Sequence, residues 1–357
     1  MEKALIAMSG GVDSSAAAWL TRDAGYHCSG AIMKMFDSSI LHTYPGCGAS
    51  DDTADARAVA EKMDMPFYVI DAKDAFASHV IEDFIRTYES GATPNPCINC
   101  NKHLKFDLFL QKALELGCSK IVTGHYARIE YDENTGRWLL KKALDPTKDQ
   151  SYVLSCLTQE QLSRTLLPLG MLTKEEARSI AREQGFLNAR KKDSQDICFV
   201  PDGDYVAFMK HYTGKHYAHG DFLDLSGKVV GTHRGAVCYT LGQRKGLGLA
   251  MCEPVYVCAK DMEKNTVTVG PNDALFATTL LARDFNWIPF PALTEPIAVN
   301  ARARYNQKEQ PAMAYPAENG LVKVVFDQPQ RAMTPGQTVV LYQDDMVVGG
   351  GTITEVL

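Results

Sequence analysis

Residues 3–20 read KALIAMSGGVDSSAAAWL, and this stretch decides the fold class. Lys3 to Met8 is a short apolar run with the length of a buried strand, and Val12 to Ala24 has apolar residues at helical spacing. Ser9-Gly10-Gly11 separates the two runs, so the chain passes from a strand through a glycine turn directly into a helix. A strand–turn–helix unit of this kind predicts an α/β domain with a parallel sheet.

The same alternation continues along the first half of the chain. Strands are predicted at His27 to Lys34, Pro66 to Ile70 and Lys120 to Thr123, and helices at Asp51 to Met63, Ala72 to Tyr88 and Leu104 to Leu116. The pattern predicts right-handed crossovers with helices covering the sheet, and ligands in such folds bind at the carboxyl ends of the strands. The stretch from Met35 to Ser50 contains Pro and Gly and is predicted to be a mobile loop at that edge.

After about Lys210 the pattern changes to short β-type runs separated by Gly, Pro, Asn and Asp. These runs are Phe222 to Val230, Ala236 to Leu241, Pro254 to Ala259, Thr266 to Val269, Ala298 to Arg304, Val322 to Phe326 and Thr338 to Tyr342. Small β modules or barrels are therefore predicted. We place the domains at 1–209, 210–273 and 274–357, with the second boundary after the Gly270-Pro271-Asn272-Asp273 turn.

The composition excludes several classes of protein. With 357 residues, 45% hydrophobic and 22% charged, the chain has the composition of a globular protein of two or three domains, not of a disordered or fibrous chain. No apolar run is long enough to span a membrane, and the start of the chain does not look like a signal peptide, so we expect a cytoplasmic protein. The net charge of −6 means that any nucleic-acid site must be a local basic patch.

The Ser9 to Ser15 stretch is a candidate phosphate-binding loop. Its glycines let the backbone approach an anion, and the start of the following helix offers unpaired N–H groups. Asp13 cannot bond a phosphate directly, so it either holds Mg²⁺ or orders the loop. The stretch has no Gly-Lys-[Ser/Thr] ending, so a Walker A loop is not indicated.

Ten cysteines in a long chain without an export signal are predicted to be mostly reduced thiols. Cys97 and Cys100 form a Cys-x-x-Cys pair in TPNPCINCN, just before the helix predicted from Leu104. Because a helix N-terminus stabilises a thiolate, we expect a lowered pKa at Cys100. Zinc would need four ligands, and the sequence has no second such pair. Cys198 precedes Phe199, and two interpretations remain open: a buried core cysteine or a reactive thiol.

Taken together, these segments resemble one family over essentially the whole chain, the bacterial tRNA-specific 2-thiouridylases or MnmA proteins. SGGVDS alone is similar to the PP-loop of the adenine-nucleotide α-hydrolases, which cleave ATP between the α and β phosphates. The motifs that carry the family resemblance are SGGVDSS (9–15), AIMK (31–34), TPNPCINCNKHLKF (93–106), TGHYAR (123–128), KDQSY (148–152), KKDSQDICF (191–199), LGQRKGLG (241–248), Arg304-Tyr305 and TPGQ (334–337).

The resemblance implies an activity and an architecture. The activity is replacement of the C2 oxygen of the wobble uridine, position 34 of certain tRNAs, by sulfur, with ATP and Mg²⁺. The architecture is an N-terminal PP-loop domain, a small central domain and a C-terminal β-barrel. The residues implied to bind the nucleotide are Ala7, Met8, Ser9, Gly10, Gly11, Val12, Asp13, Ser14, Met33 and Gly124. Cys198 is implied to carry a persulfide, and Cys100 to release the sulfur by forming a disulfide with it.

The resemblance also implies how the RNA is recognised. The wobble base leaves its stack and enters a pocket, as is typical of single-stranded RNA recognition. The implied RNA contacts are Asn95, Pro96, Cys97, His125, Lys148, Asp149, Gln150, Arg304, Tyr305 and Gln337. Arg190 to Lys192 and Gln243 to Lys245 are either local basic patches or solvated charges. The implied partners are tRNA and a persulfide donor, a cysteine desulfurase or a relay protein, and the implied state is a monomer.

Cys97 departs from the family pattern, because many members carry an acid–base aspartate there. Two routes are therefore open: persulfide–disulfide chemistry at Cys100 and Cys198, or a [4Fe–4S] cluster held by Cys97, Cys100 and Cys198 with one corner left for sulfide. Two other functions also remain open. An amide-forming PP-loop synthetase would not need these cysteines, and a non-catalytic RNA-binding module would fit the β-rich second half.

Overall fold

The computed structural model describes residues 2–36, 49–191 and 197–357, with the backbone alone at 49–51. Most of the loop predicted between Met35 and Ser50 lies outside these ranges. Lys192, the last residue of the predicted basic run, and the residues 193–196 of the motif before Cys198 lie outside them as well.

A parallel five-stranded sheet forms the first half of the molecule, in the order β3-β2-β1-β4-β7. Its strands are β1 Lys3–Ala7, β2 His27–Lys34, β3 Phe67–Asp71, β4 Lys120–Val122 and β7 Thr165–Leu166. Leu5 of the central strand pairs with Ser29 of β2 on one side and with Ile121 of β4 on the other. The predicted parallel sheet is confirmed, and the carboxyl ends of β1, β2 and β4 lie side by side.

Helices cover both faces of this sheet because successive side chains of a strand point in opposite directions. Ile6 packs in a buried cluster with the helical residues Ala16 and Ala177, whereas Leu5 packs in another with helical Phe109. The helices are α1 Val12–Asp23, α2 Ala49–Lys62, α3 Lys73–Phe76, α4 Glu82–Glu89, α5 Pro96–Asn99, α6 Phe109–Glu115, α7 Ser151–Leu154, α8 Gln159–Arg164, α9 Lys174–Glu183 and α10 Tyr205–Thr213. Two π-helical segments, Ala77–Ile81 and Cys100–Leu108, join α3 to α4 and α5 to α6.

The second half is β-rich, as predicted. A four-stranded sheet contains β8 Gly220–Leu223, β9 Val229–His233, β10 Tyr256–Asp261 and β11 Thr266–Gly270. The final strands are β12 Phe276–Trp287, β13 Ile297–Arg302, β14 Gln310–Pro316, β15 Val322–Arg331, β16 Thr338–Gln343 and β17 Met346–Val356. These six run antiparallel and close into a barrel through the pairing of β12 with β17.

Several β elements were not predicted correctly. The run from Phe222 to Val230 is not one strand, because a turn from Asp224 to Lys228 separates β8 from β9. The run from Ala236 to Leu241 is not a strand: Gly235 has φ +108° and leads into a 3₁₀ turn at Ala236–Cys238. A hairpin of β5 Arg128–Asp132 and β6 Arg137–Lys141 was missed, and it extends the barrel sheet by pairing with β17.

The parallel-sheet half and the four-stranded sheet share one core. Helix α10 spans position 210, where the sequence pattern changes, and its Phe208 packs against Phe84 of α4. The same buried cluster includes Phe222 of β8 and Val257 of β10. Among the described residues, no helix is long and apolar enough to cross a membrane.

Candidate active site

The predicted phosphate loop connects β1 to α1 at the carboxyl edge of the sheet. Gly10 has φ +71°, and a Cβ there would lie 2.5 Å from the carbonyl oxygen of Asp52, so glycine is required. The hydroxyl of Ser14 donates to the carbonyl of Gly11 at 3.0 Å and lies 3.3 Å from the hydroxyl of Ser9. The loop therefore brings hydroxyls and the N-terminus of α1 to one place, as an anion site requires.

Gly124 lies directly against this loop. A Cβ on Gly124 would be 2.8 Å from the backbone carbon of Asp13 and 2.8 Å from the nitrogen of Ser14. Met33 lies near the end of the neighbouring strand β2 and packs against two buried clusters. The structure thus brings the residues implied for nucleotide binding to the ends of three adjacent strands.

Asp13 is held by two protein groups. Lys174 Nζ lies 2.7 and 2.8 Å from the two carboxylate oxygens, and the phenol of Tyr126 donates to one of them at 2.8 Å. Both oxygens already have protein partners, which hold the carboxylate against Lys174 and Tyr126. Of the two predicted roles for Asp13, the contacts favour ordering of the loop.

Two more side chains support the loop from a distant part of the chain. The Asn188 amide donates to the carbonyl of Gly10 at 3.0 Å and to the hydroxyl of Ser15 at 2.9 Å. Lys191 bonds Asp52 at 2.6 Å and Asp55 at 2.7 Å. The charge of Lys191 is therefore compensated by two carboxylates of α2, so this residue contributes little to a basic patch.

The Cys-x-x-Cys pair lies on a helix that begins earlier than predicted. Helix α5 starts at Pro96, so Cys97 is in its first turn and is exposed, whereas Cys100 opens the π-helical segment and is buried. Cys198 is itself exposed, but Phe199 beside it packs in the same buried cluster as Cys100. Cys97 and Cys100 both raise the pKa of Cys198, as neighbouring thiols do.

The pKa expected for Cys100 is wrong. Burial raises the pKa of the Cys100 thiol, and Lys105 opposes this only in part. Desolvation of the thiol likewise raises the pKa of Cys198, to about 12. Because α5 begins four residues before Cys100, its free N–H groups do not face this thiol. Both thiols are therefore protonated at neutral pH.

We expect iodoacetamide to alkylate Cys198 about 50-fold more slowly than free cysteine at pH 8, since the smaller thiolate fraction outweighs the higher nucleophilicity of a high-pKa thiolate. A thiol with a raised pKa stays protonated until the pH approaches that pKa, so the rate should climb through pH 10 without a plateau. Peptide mass spectrometry measures each cysteine separately, with exposed Cys252 as the internal comparison. A plateau above pH 9 would contradict the raised pKa.

The thiols are not arranged as a metal-ligand set. Over the described ranges, no three His, Cys, Asp or Glu side chains are placed so that they could hold a metal ion. Cys97, Cys100 and Cys198 as positioned here therefore do not fit a [4Fe–4S] cluster, and they do not fit zinc.

Several implied RNA contacts have partners within the protein. The side chain of Asp149 accepts from the amides of Ala143 and Ser151 at 3.1 and 3.2 Å, and Gln150 exchanges bonds with the backbone of Tyr126. Lys148 is half-buried and lines an open concavity of about 590 Å³, which Arg178 and Arg182 also line. Asp149 and Gln150 thus shape the loop that presents Lys148.

His125 and Asn95 are held by contacts within the protein. His125 Nδ1 is 2.8 Å from the Thr123 hydroxyl, and burial together with the charge of Lys105 lowers its pKa well below the usual value. The imidazole is therefore neutral at pH 7. Asn95 precedes α5 and its side chain bonds Tyr152, while Pro96 is buried.

The barrel residues differ in their surroundings. Tyr305 is 42% exposed and packs edge-to-face on Tyr152 at 5.5 Å. Arg304 bonds the carbonyl of Leu241 and the hydroxyl of Thr334. Gln337 donates to the carbonyls of Thr93 and Pro94 at 3.1 and 2.8 Å. Tyr305 is available for stacking, whereas Arg304 and Gln337 join the barrel to the rest of the site.

Three family models match successive parts of the chain. They are described as the tRNA methyl transferase HUP domain over residues 2–202, the tRNA methyl transferase PRC-barrel domain over 206–271, and the aminomethyltransferase beta-barrel domain over 277–353. A tRNA-specific 2-thiouridylase MnmA of Clostridioides difficile is 47% identical over 357 residues, covering 100% of this chain and 99% of that protein. The chain belongs to the MnmA family of tRNA-specific 2-thiouridylases.

Other comparisons agree with this membership or add nothing to it. The MnmA protein of Acetivibrio thermocellus is 48% identical, with 99% of each chain covered. A solved 4-thiouridine synthetase–RNA complex with bound ATP covers 60% of this chain and 50% of that chain, at 16% identity and a TM-score of 0.35. That likeness is too low to support any functional argument. The resemblance to the MnmA family and the predicted fold class are both confirmed.

Sequence motifs did not reveal two residues that hold the Ser9 to Ser15 loop in place. Lys174 and Asn188 contact Asp13 and Gly10 from 161 and 178 residues away. The only local signal was the Thr173–Glu176 capping box, which marks the start of a helix but says nothing of what its first residue contacts.

Proposed function

We propose that this protein is a tRNA-uridine 2-sulfurtransferase. It adenylates the C2 oxygen of the wobble uridine with ATP and then replaces that oxygen by sulfur, giving 2-thiouridine, AMP and pyrophosphate. The observation that carries the proposal is the 47% identity, over the full length of both chains, to a protein named tRNA-specific 2-thiouridylase. The contacts at the carboxyl edge of the sheet support it.

The first step makes the uridine carbonyl reactive. Oxygen at C2 is a poor leaving group until it is bound to AMP. The loop from Ala7 to Ser14 holds the triphosphate at the N-terminus of α1, with Met33 and Gly124 alongside, and Mg²⁺ accompanies the ATP substrate. The carbonyl oxygen attacks the α-phosphate, its bond to phosphorus forms, and pyrophosphate leaves.

The second step delivers sulfur. A persulfide on Cys198 attacks C2, and AMP departs with the oxygen, leaving a Cys198–S–S–C2 link. The thiolate of Cys100 then attacks the Cys198 sulfur, so a Cys100–Cys198 disulfide forms and the outer sulfur stays on the base. A cellular reductant restores the two thiols. Because burial raises the pKa of Cys100, this thiol must lose its proton during the reaction.

The remaining assignments follow from the same scheme. Domain 1–209 performs the chemistry, 210–273 connects it to the barrel, and 274–357 contacts tRNA, with Tyr305 as the exposed aromatic. Lys148 and His125 are assigned to RNA contacts in this scheme. We place the protein in the cytoplasm as a monomer that receives sulfur from a cysteine desulfurase or a relay protein. The persulfide route is favoured over the cluster route because the three cysteines do not form a metal-ligand set.

The test is tRNA thiolation measured by nucleoside mass spectrometry. Protein purified anaerobically is divided into an iron-stripped half and a cluster-reconstituted half, and each receives ATP, Mg²⁺ and unmodified tRNA with either a persulfide or sulfide. We expect the stripped half to form 2-thiouridine from the persulfide. Thiolation by the reconstituted half alone would replace the thiol route by the cluster route. If neither half formed 2-thiouridine, an amide-forming synthetase or an RNA-binding module would become the better assignment.

A further inference from the structure

An aspartate in an anion-binding loop presents an electrostatic problem. Asp13 is in the first turn of α1, where the proposed function places the triphosphate of ATP. A carboxylate there is stabilised by the helix N-terminus, but it repels the phosphates that the same N–H groups would bind. For the loop to bind ATP, the charge of Asp13 must be compensated from the protein side.

Lys174 supplies this compensation directly. Its Nζ bonds both oxygens of Asp13, at 2.7 and 2.8 Å, and the residue is only 8% exposed. The pair spans 161 residues of sequence and joins α9 to the nucleotide loop. A buried lysine is costly unless it is paired, so this contact accounts for its burial.

The placement of Lys174 in its own helix breaks a local rule. It is the first residue of α9, directly after the Thr173 N-cap, where a positive charge opposes the helix dipole. Thr173 and Glu176 form a complete capping box, and the Lys174 amide donates to Asp145 at 3.2 Å. The backbone of Lys174 is therefore fixed while its side chain points into the loop. Such violations of local preference are typical of functional positions.

We propose that Lys174 is a positioning residue of the nucleotide site, which neutralises Asp13 and thereby allows the Ser9 to Ser15 loop to hold the triphosphate of ATP. Tyr126 completes the arrangement, because its phenol donates to Asp13 at 2.8 Å. The inference rests on the proposed function for the identity of the nucleotide. It assigns to α9 a role in the ATP site that does not depend on the sulfur chemistry.

The test measures ATP affinity by calorimetry in four forms of the full-length protein: unchanged, Lys174→Met, Lys174→Arg and the double variant Asp13→Asn/Lys174→Met. Losing the compensating charge should weaken ATP binding by about 30-fold in Lys174→Met. Lys174→Arg keeps the charge and should stay within about threefold of the unchanged protein. The double variant has neither charge, so its affinity should recover to within about threefold as well.

Recovery in the double variant separates charge compensation from a purely structural role. If Lys174 served only to hold the fold, the double variant would bind ATP as weakly as Lys174→Met, and that result would overturn the inference. Unaltered ATP affinity in Lys174→Met would overturn it too. Lys112→Met is the matched control, because Lys112 is an exposed lysine paired with Glu115 on the surface of α6. If the unchanged protein itself did not bind ATP, the proposed function would fail instead.

Discussion

Replacing Cys198 by serine should reduce tRNA thiolation by about 1000-fold or more while tRNA-dependent pyrophosphate release stays within about threefold of the unchanged protein. A serine hydroxyl cannot carry a persulfide, so no sulfur reaches C2. The nucleotide loop is built from β1, α1, Gly124 and Lys174, and Cys198 bonds none of these in the described structure. The two readouts are 2-thiouridine by mass spectrometry and released pyrophosphate.

Two further variants sharpen this test. Cys252→Ser removes another exposed thiol and should leave both readouts unchanged. Cys100→Ser should instead accumulate a covalent tRNA–protein adduct, because the thiol that resolves the Cys198–S–S–C2 link is gone. The adduct should disappear when a reductant is added. If Cys198→Ser still formed 2-thiouridine, sulfur would not travel through Cys198 and the thiol route would be wrong.

The N-terminal sheet could be predicted because its signals are local. The strand from Lys3 to Ala7, the turn at Gly10 and the helix from Val12 follow one another, and each has its own residue pattern. Parallel pairing then follows from the alternation of strands and helices. The predicted ends of β2, His27 and Lys34, are those observed, since a buried strand has a sharp apolar boundary.

Strand β17 could not be predicted in the same way. It contains Gly349-Gly350-Gly351, a run that normally interrupts a strand. A Cβ on Gly351 would lie 2.4 Å from the ring of Phe285, and one on Gly350 would lie 2.7 Å from the hydroxyl of Ser155. These glycines therefore make room for side chains from distant parts of the chain. No residue pattern near β17 indicates that these two side chains require the space.

The candidate site shows the same division between local and distant signals. The Ser9 to Ser15 loop and the Cys97–Cys100 pair have compact motifs, so the sequence indicates both. Asp149 lies in a polar motif, and its carboxylate accepts backbone N–H groups of Ala143 and Ser151. Motifs indicate which residues matter, whereas only packing shows whether a side chain faces a ligand or its own backbone.

Substitution of Gly124 by alanine is expected to weaken ATP binding by about 100-fold, the effect of an overpacking cost of about 3 kcal/mol. The new Cβ would stand 2.8 Å from the backbone of both Asp13 and Ser14, so the start of α1 would have to move away from β4. Calorimetry with ATP measures the loss.

Gly214→Ala is the control, since Gly214 has φ +67° at the end of α10 and its Cβ would meet no atom within 4 Å. That control should lose about 1 kcal/mol of stability and keep its ATP affinity. If Gly124→Ala bound ATP as tightly as the unchanged protein, the nucleotide would not lie between β4 and the Ser9 to Ser15 loop.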